Sequence, residues 1–296
     1  MSNSTNNELF CPLLQEMRGH KPNISTEVNL VVVCIHGLVS CLGILENALV
    51  LWVVGFRLRH RTVASVWVLN LAMSDFLLGG PLCKIQASIF FLNMFVSAFL
   101  LAAISLDRLL LVVKPVWSQN HRSVAGAWKV CLLVWFWAAI NTLPYTVFRS
   151  VTQKLYPGYL CYHNFALILS SQATLERDCK VRQAATAISK LLLAFIFPLM
   201  LIAGSYIQIT NQGQLSQSFI KMVTFVIAAF ALCWAPYHIF CMIEVTKGLP
   251  LATTIAFLNP VLNPILYAFS CPNFCVRIRQ SLGAVFDGLV EGKGGS

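Results

Sequence analysis

Long apolar runs dominate the chain, and no other feature limits its possible folds so strongly. A helix needs about 20 mostly apolar residues to cross a bilayer. Seven stretches qualify: 30–56, 62–82, 85–113, 124–148, 184–209, 219–245 and 249–269. They lack the period-two alternation of membrane strands and are too long for them. Charge is correspondingly scarce, with Asp, Glu, Lys and Arg at 11% against about 25% in an ordinary soluble domain. A soluble chain of 296 residues could not cover its surface with so few charges, which excludes most soluble enzymes and disordered scaffolds. The formal charge of +10 is spread between the apolar runs instead of gathered in a patch, so nucleic acid is not an expected partner. The expected fold is an all-α membrane protein. Residues 30–269 form a seven-transmembrane helix bundle, between a tail at 1–29 and a terminal segment at 270–296.

Short loops set the orientation, because basic residues stay on the cytoplasmic side. Arg57, Arg59 and Arg61 follow the first run, Lys114, Arg122 and Lys129 follow the third, and Arg277 and Arg279 follow the seventh. These share one side, which places the N-terminus outside the cell. Two glycosylation sequons, at Asn3 and Asn23, fall in that outer tail. Residues 1–27 carry no apolar core of a cleavable signal, so the first span is expected to direct insertion. The outward cysteines are Cys11, Cys83, Cys161 and Cys179. Four cysteines in an oxidising compartment allow three pairings. The segment 272–285 reads as a short interfacial eighth helix.

Ionisable or polar groups at membrane depth are functional candidates. Asp75 is the deepest acid. Asn93 and Ser97 stand four apart on one face of the third span, and Asn259 and Asn263 repeat that spacing on the seventh. Five such oxygen-bearing side chains suit a sodium ion, a hard cation; a water-filled hydrogen-bond network is the competing account. Asp107 and Arg108 close the third span, either as an interfacial anchor or as a latch. Pro236 kinks the sixth span beside Trp234 and Phe230, and Pro264 does the same in the seventh. In the outer half, Lys190 lies within the fifth span, Arg149 ends the fourth, and Glu244 is the nearest in-span acid. Lys190 either snorkels or pairs with Glu244, or it waits for a ligand anion. Phe90, Phe91, Met94, Tyr162 and Tyr237 occupy the same depth. An apolar pocket with one or two cations suits an amphipathic carboxylate.

These residues together resemble the rhodopsin-like (class A) G-protein-coupled receptors. The matches are Gly43 with Glu46-Asn47, Leu71-Ala72-Met73-Ser74-Asp75, Cys83, Asp107-Arg108-Leu109, Trp135, Pro198 with Tyr206, Cys233-Trp234-Ala235-Pro236-Tyr237, and Asn263-Pro264-Ile265-Leu266-Tyr267. Stretches 88–95, 103–108, 113–122 and 228–237 resemble the chemoattractant-type prostaglandin receptors within that family. The resemblance implies a lipid carboxylate ligand, with prostaglandin D2 expected. It also implies a heterotrimeric G protein of the inhibitory class, lowered cyclic AMP, chemotaxis and a plasma-membrane location. By the same resemblance Lys190 holds the carboxylate with Arg149 and Tyr162 nearby, and Tyr237, Phe90, Phe91 and Glu244 line the pocket. Asp107, Arg108, Trp234, Pro236, Tyr206 and Tyr267 would carry activation and coupling. The implied disulfides are Cys83–Cys161 and Cys11–Cys179, the second tying the tail over the pocket.

The sequence also departs from that pattern. Only seven residues separate Asp75 from Cys83, and Gly79-Gly80-Pro81 interrupts them. At about 1.5 Å per residue this is roughly half the rise the outer part of a span needs, so the second span is expected to be shortened. Two alternatives therefore stand beside the lipid receptor: a peptide chemoattractant receptor, and a truncated receptor that does not signal. The two halves show no internal repeat, which disfavours a transporter.

Overall fold

The computed structural model describes residues 10–19, 30–57, 62–76, 83–153, 159–167, 171, 173–212, 228 and 230–243. In chain order the helices are α1 (Pro12–Gly19), α2 (Leu30–Trp52), α3 (Val63–Phe76), α4 (Cys83–Val113), α5 (Pro115–His121) and α6 (Val124–Phe148). A hairpin of β1 (Arg149–Gln153) and β2 (Tyr159–His163) follows, then α7 (Leu175–Lys190), α8 (Phe197–Asn211) and α9 (Phe230–Ile243). A π-helical turn at Val53–Arg57 extends α2, and another at Leu191–Ile196 joins α7 to α8. The stretch that sequence predicts as the seventh span, and the segment read as the eighth helix, lie outside the described residues.

Local chemistry explains where these helices start and bend. Thr62 and Ser65 cap α3 reciprocally, each side-chain oxygen accepting the other's backbone N–H at 3.2 and 2.9 Å. Ser123 caps α6 by accepting the Gly126 N–H at 3.1 Å. Pro115 opens α5, where its missing N–H costs nothing. Pro198 has no N–H to offer the carbonyl of Ala194. Just ahead of it the Phe197 N–H reaches back five residues to Leu192, which widens the helix into its π-turn.

Helix α4 is the spine: α3, α6, α8 and the π-turn before α8 all pack on it. Its central side chains, Met94, Phe95, Val96, Ala98 and Leu100, are fully buried. Polar ties cross the helices as well. Trp135 Nε1 donates to Asn70 Oδ1 at 3.1 Å, joining α6 to α3, and Thr146 Oγ1 donates to Ser88 Oγ at 3.0 Å, joining α6 to α4. The outer face of α6 is apolar and bare, with Leu132, Leu133 and Phe136 at 65–67% exposure. Such a face suits lipid. Ala87–Val113, Val124–Phe148 and Leu175–Asn211 are each long and apolar enough to cross a membrane.

Three elements depart from expectation. The helix that carries the fifth apolar run begins ahead of 184, at Leu175, and its polar first turns hold a Glu176–Lys180 pair at 2.7 Å. The hairpin and α1 stand where loop and tail were expected, as small additions to a helical fold.

Candidate functional site

The site is built at the hairpin end of the bundle, where α4, α6, α7 and α9 meet. Lys190 is the last residue of α7, and the π-turn begins with the next residue. It does not snorkel: the residue is 8% exposed. Its ammonium lies 5.4 Å from the ring centres of Phe91 and Tyr145 and 5.6 Å from that of Tyr237. It donates to Cys241 Sγ at 3.6 Å. Among the described residues no carboxylate pairs with it. A cation in a box of aromatic faces gains some attraction, but among the described residues only one of the three ammonium donors has an acceptor. Glu244, the acid that sequence offered as an alternative partner, lies outside the described residues.

The walls of the box hold each other in place. Phe91 stacks on Tyr145 at 4.6 Å, and Phe90 meets Phe91 and Tyr237 edge-on at 5.5 Å each. Tyr145 is anchored through its hydroxyl, which contacts Ser189 Oγ at 2.9 Å and donates to the Thr186 carbonyl at 3.1 Å. Trp234 lies directly below, 6.0 Å from Phe90 and 5.9 Å from Tyr237. A group entering the box therefore presses on Trp234 through these two rings.

The hairpin covers the box. Arg149 faces His163 across the two strands, and its Nη1 lies 3.4 Å from His163 Nδ1. Tyr162 and His163 are neighbours on β2, and both face aromatic partners. His163 reaches Phe91 at 5.7 Å and also stacks on Phe165 at 5.7 Å, while Tyr162 packs against the cluster above and meets His163 edge-on at 5.8 Å. Burial, then the charges on Lys190 and Arg149, hold the His163 imidazole well below its ordinary value, which keeps it neutral. Above the hairpin sits a lid. The Cys11–Cys179 disulfide ties α1 to α7, and Leu14 packs with Phe165 and Ala166. Arg182 donates to the Phe165 carbonyl at 2.6 Å. Cys83 begins α4 and Cys161 lies on β2 opposite Val151, but their side chains are outside the described set.

Two further groups of predicted residues lie deeper. Asn93 and Ser97 are buried on α4, and the Ser97 hydroxyl finds no partner among the described residues. Asp75 falls in the last turn of α3, with its side chain outside the described set, as are Asn259, Asn263 and Tyr267. At the opposite end, Asp107 pairs not with its neighbour Arg108 but with Arg122 beyond α5, at 2.8 and 2.9 Å. Arg108 is half-buried, as are Pro236 and Tyr206. Asn3 and Asn23 lie outside the described residues.

Sequence reasoning therefore missed Tyr145, His163, His238 and Cys241. His163 was legible in principle, since it neighbours Tyr162. The others sit on helix faces that periodicity alone does not distinguish.

An apolar bundle with a covered cation box at one end and an acid–arginine lock at the other is the layout of a transmembrane receptor. The 7 transmembrane receptor (rhodopsin family) profile matches residues 46–267, and the chain belongs to that family. It is a receptor of the kind that couples a ligand to a heterotrimeric G protein, not an enzyme. Among individual proteins it is similar to "Prostaglandin D2 receptor 2" of Mus musculus, 43% identical over 95% of this chain and 83% of that protein. The Rattus norvegicus protein of the same name is 42% identical over 95% and 79%. "Chemerin-like receptor 1" of Rattus norvegicus is 35% identical over 84% and 77%. The mouse alignment runs over 320 positions against a chain of 296 residues, so that relative carries residues this chain lacks.

Proposed function

We propose that the chain is a plasma-membrane receptor for an anionic lipid mediator, prostaglandin D2, with its N-terminus outside the cell. Signalling runs through the inhibitory G protein, lowers cyclic AMP and drives chemotaxis. The observation that carries this reading is the Lys190 ammonium, buried in aromatic faces with no carboxylate among the described residues. A lipid carboxylate supplies the missing charge and its chain fills the box. Arg149 and His163 stand at the entrance with Tyr162 beside them, Phe90, Phe91 and Tyr237 line the box, and Glu244, outside the described residues, is assigned to the same site from the sequence alone. The names of the two rodent relatives point to the same ligand.

Ligand in the box shifts Phe90 and Tyr237, and with them Trp234 beside the Pro236 kink. The end of the bundle that carries Arg108 then opens to the G protein, with Tyr206 and Tyr267 repacking. This is a shift between two packings, so the ligand must bind the active one better. Asp75, Asn93, Ser97, Asn259 and Asn263 would hold a sodium ion, whose charge favours the inactive packing. The Ser97 hydroxyl, without a partner among the described residues, supports that assignment.

Two observations keep alternatives in view. The relatives named "Chemerin-like receptor 1" carry a different ligand in their name, which keeps the peptide chemoattractant reading beside the lipid one. The short sequence interval between Asp75 and Cys83 and the long alignment favour a truncated form that does not signal. Radiolabelled prostaglandin D2 binding to cells expressing the chain, run beside a cyclic AMP assay, separates the three. Saturable binding with lowered cyclic AMP is expected. Surface expression without binding overturns the lipid assignment, and binding without a cyclic AMP response establishes the silent form.

A further inference from the structure

The ammonium of Lys190 rests on a thiol, and that pairing has a chemistry of its own. We propose that Cys241 captures lipids bearing an α,β-unsaturated ketone as covalent adducts, with Lys190 holding the ketone oxygen. The proposal rests on the reading of the aromatic box as a lipid site.

The thiol is not alone. Lys190, 8% exposed, points at it from 3.6 Å and has no carboxylate partner among the described residues. His238 precedes Cys241 by one turn on α9, is 1% exposed, and has no hydrogen-bond partner for either ring nitrogen among the described residues. Buried polar groups are ordinarily hydrogen-bonded, so this pair can accept a further polar atom beside the thiol. Cys241 itself is half-buried and free, whereas Cys131 and Cys233 are closed off in the core at 0% and 2% exposure. A small polar group carried on an apolar chain fits this place.

The arrangement suits conjugate addition. In an enone the oxygen and the β-carbon are three bonds apart. A sulfur and an ammonium 3.6 Å apart can therefore address both ends of one conjugated unit. The sulfur lone pair forms the C–S bond at the β-carbon, and the π pair moves through the α-carbon to the oxygen. The resulting enolate develops its charge beside the Lys190 ammonium, as at an oxyanion hole. The thiol proton ends on the α-carbon when the enolate returns to the ketone. One thiol and one enone become one thioether; no redox partner is needed and nothing leaves.

The test uses the full chain in lipid nanodiscs, a long-chain alkyl vinyl ketone as probe, and mass spectrometry of each cysteine against time. The expected result is an adduct on Cys241, removed by Cys241→Ser, beside a background adduct on exposed Cys41, with Cys131 and Cys233 unmodified. Lys190→Met should slow labelling of Cys241 roughly tenfold to a hundredfold. It should leave the rate at Cys41, exposed on α2, unchanged. The saturated ketone of the same chain length should protect Cys241 and not Cys41. No adduct at Cys241, an unaltered rate in Lys190→Met, or no protection would each overturn the proposal. Prostaglandin D2 binding on the same preparation separates the two readings. Binding without an adduct refutes capture and leaves the receptor assignment standing, whereas an adduct without binding supports capture and refutes that ligand.

Discussion

Replacing Lys190 with Met should make the ligand-free receptor more stable, although it removes a charge from the centre of the site. The side chains are close in length and volume, so packing of the box changes little. Burying an ammonium costs several kcal/mol after relaxation. Three aromatic faces at 5.4–5.6 Å return about 0.5–1 kcal/mol each, and a single long contact to a thiol returns less. The balance leaves Lys190 unfavourable by about 1–3 kcal/mol in the absence of an anion. At roughly 2 °C per kcal/mol for a chain of this size, Lys190→Met should raise the melting temperature by about 2–6 °C. The assay is thermal unfolding of purified, ligand-free protein followed by intrinsic fluorescence. A fall in melting temperature of comparable size would refute the reasoning. It would mean that the ammonium already has a buried anionic partner, since breaking such a pair costs about 3–5 kcal/mol.

Three other outcomes follow from the same structure. Trp135→Phe removes the donor to Asn70 Oδ1 and should lower stability by about 1–3 kcal/mol, read as a lower melting temperature. Cys11→Ser opens a loop with a sequence separation of 168, which chain-entropy reasoning values at about 5 kcal/mol. It should also loosen the lid, so that radioligand dissociates faster from the variant. Acidification tests His163, whose folded pKa lies well below its ordinary 6.5. The unfolded chain takes up a proton as pH falls through 6.5 while the folded ring stays neutral, so stability should drop from that point downward. His163→Gln should flatten this part of the melting-temperature profile.

The long lipid-crossing helices were legible because each is a run of apolar residues bounded by a charge or a cap. Val124–Phe148 coincides with the predicted run, with Ser123 capping one end and Arg149 marking the other. Where a helix outlasts its apolar part the signal fails, as at Leu175–Ala184, where α7 holds the Glu176–Lys180 pair and the tie from Cys179 to Cys11 ahead of the apolar stretch. The hairpin was invisible for a related reason. Five-residue strands held by Arg149↔His163 register show too little alternation to stand out from a loop. Within the site, Lys190 was legible because a cation in an apolar run is an anomaly. Tyr145 and Cys241 were not, since an aromatic ring or a thiol in such a run reads as packing. The Asp107–Arg122 pair joins residues from either side of α5, and no local pattern marks such a contact.

The claim that Lys190 receives a lipid carboxylate is tested most directly by a two-by-two binding measurement. Prostaglandin D2 and its methyl ester are compared on the unaltered chain and on Lys190→Met. If the charges meet, esterification should weaken binding to the unaltered chain by about 2–5 kcal/mol, or roughly 30-fold to several thousandfold. The Lys190→Met variant should bind acid and ester alike. A variant that still prefers the acid as strongly as the unaltered chain does would contradict the account.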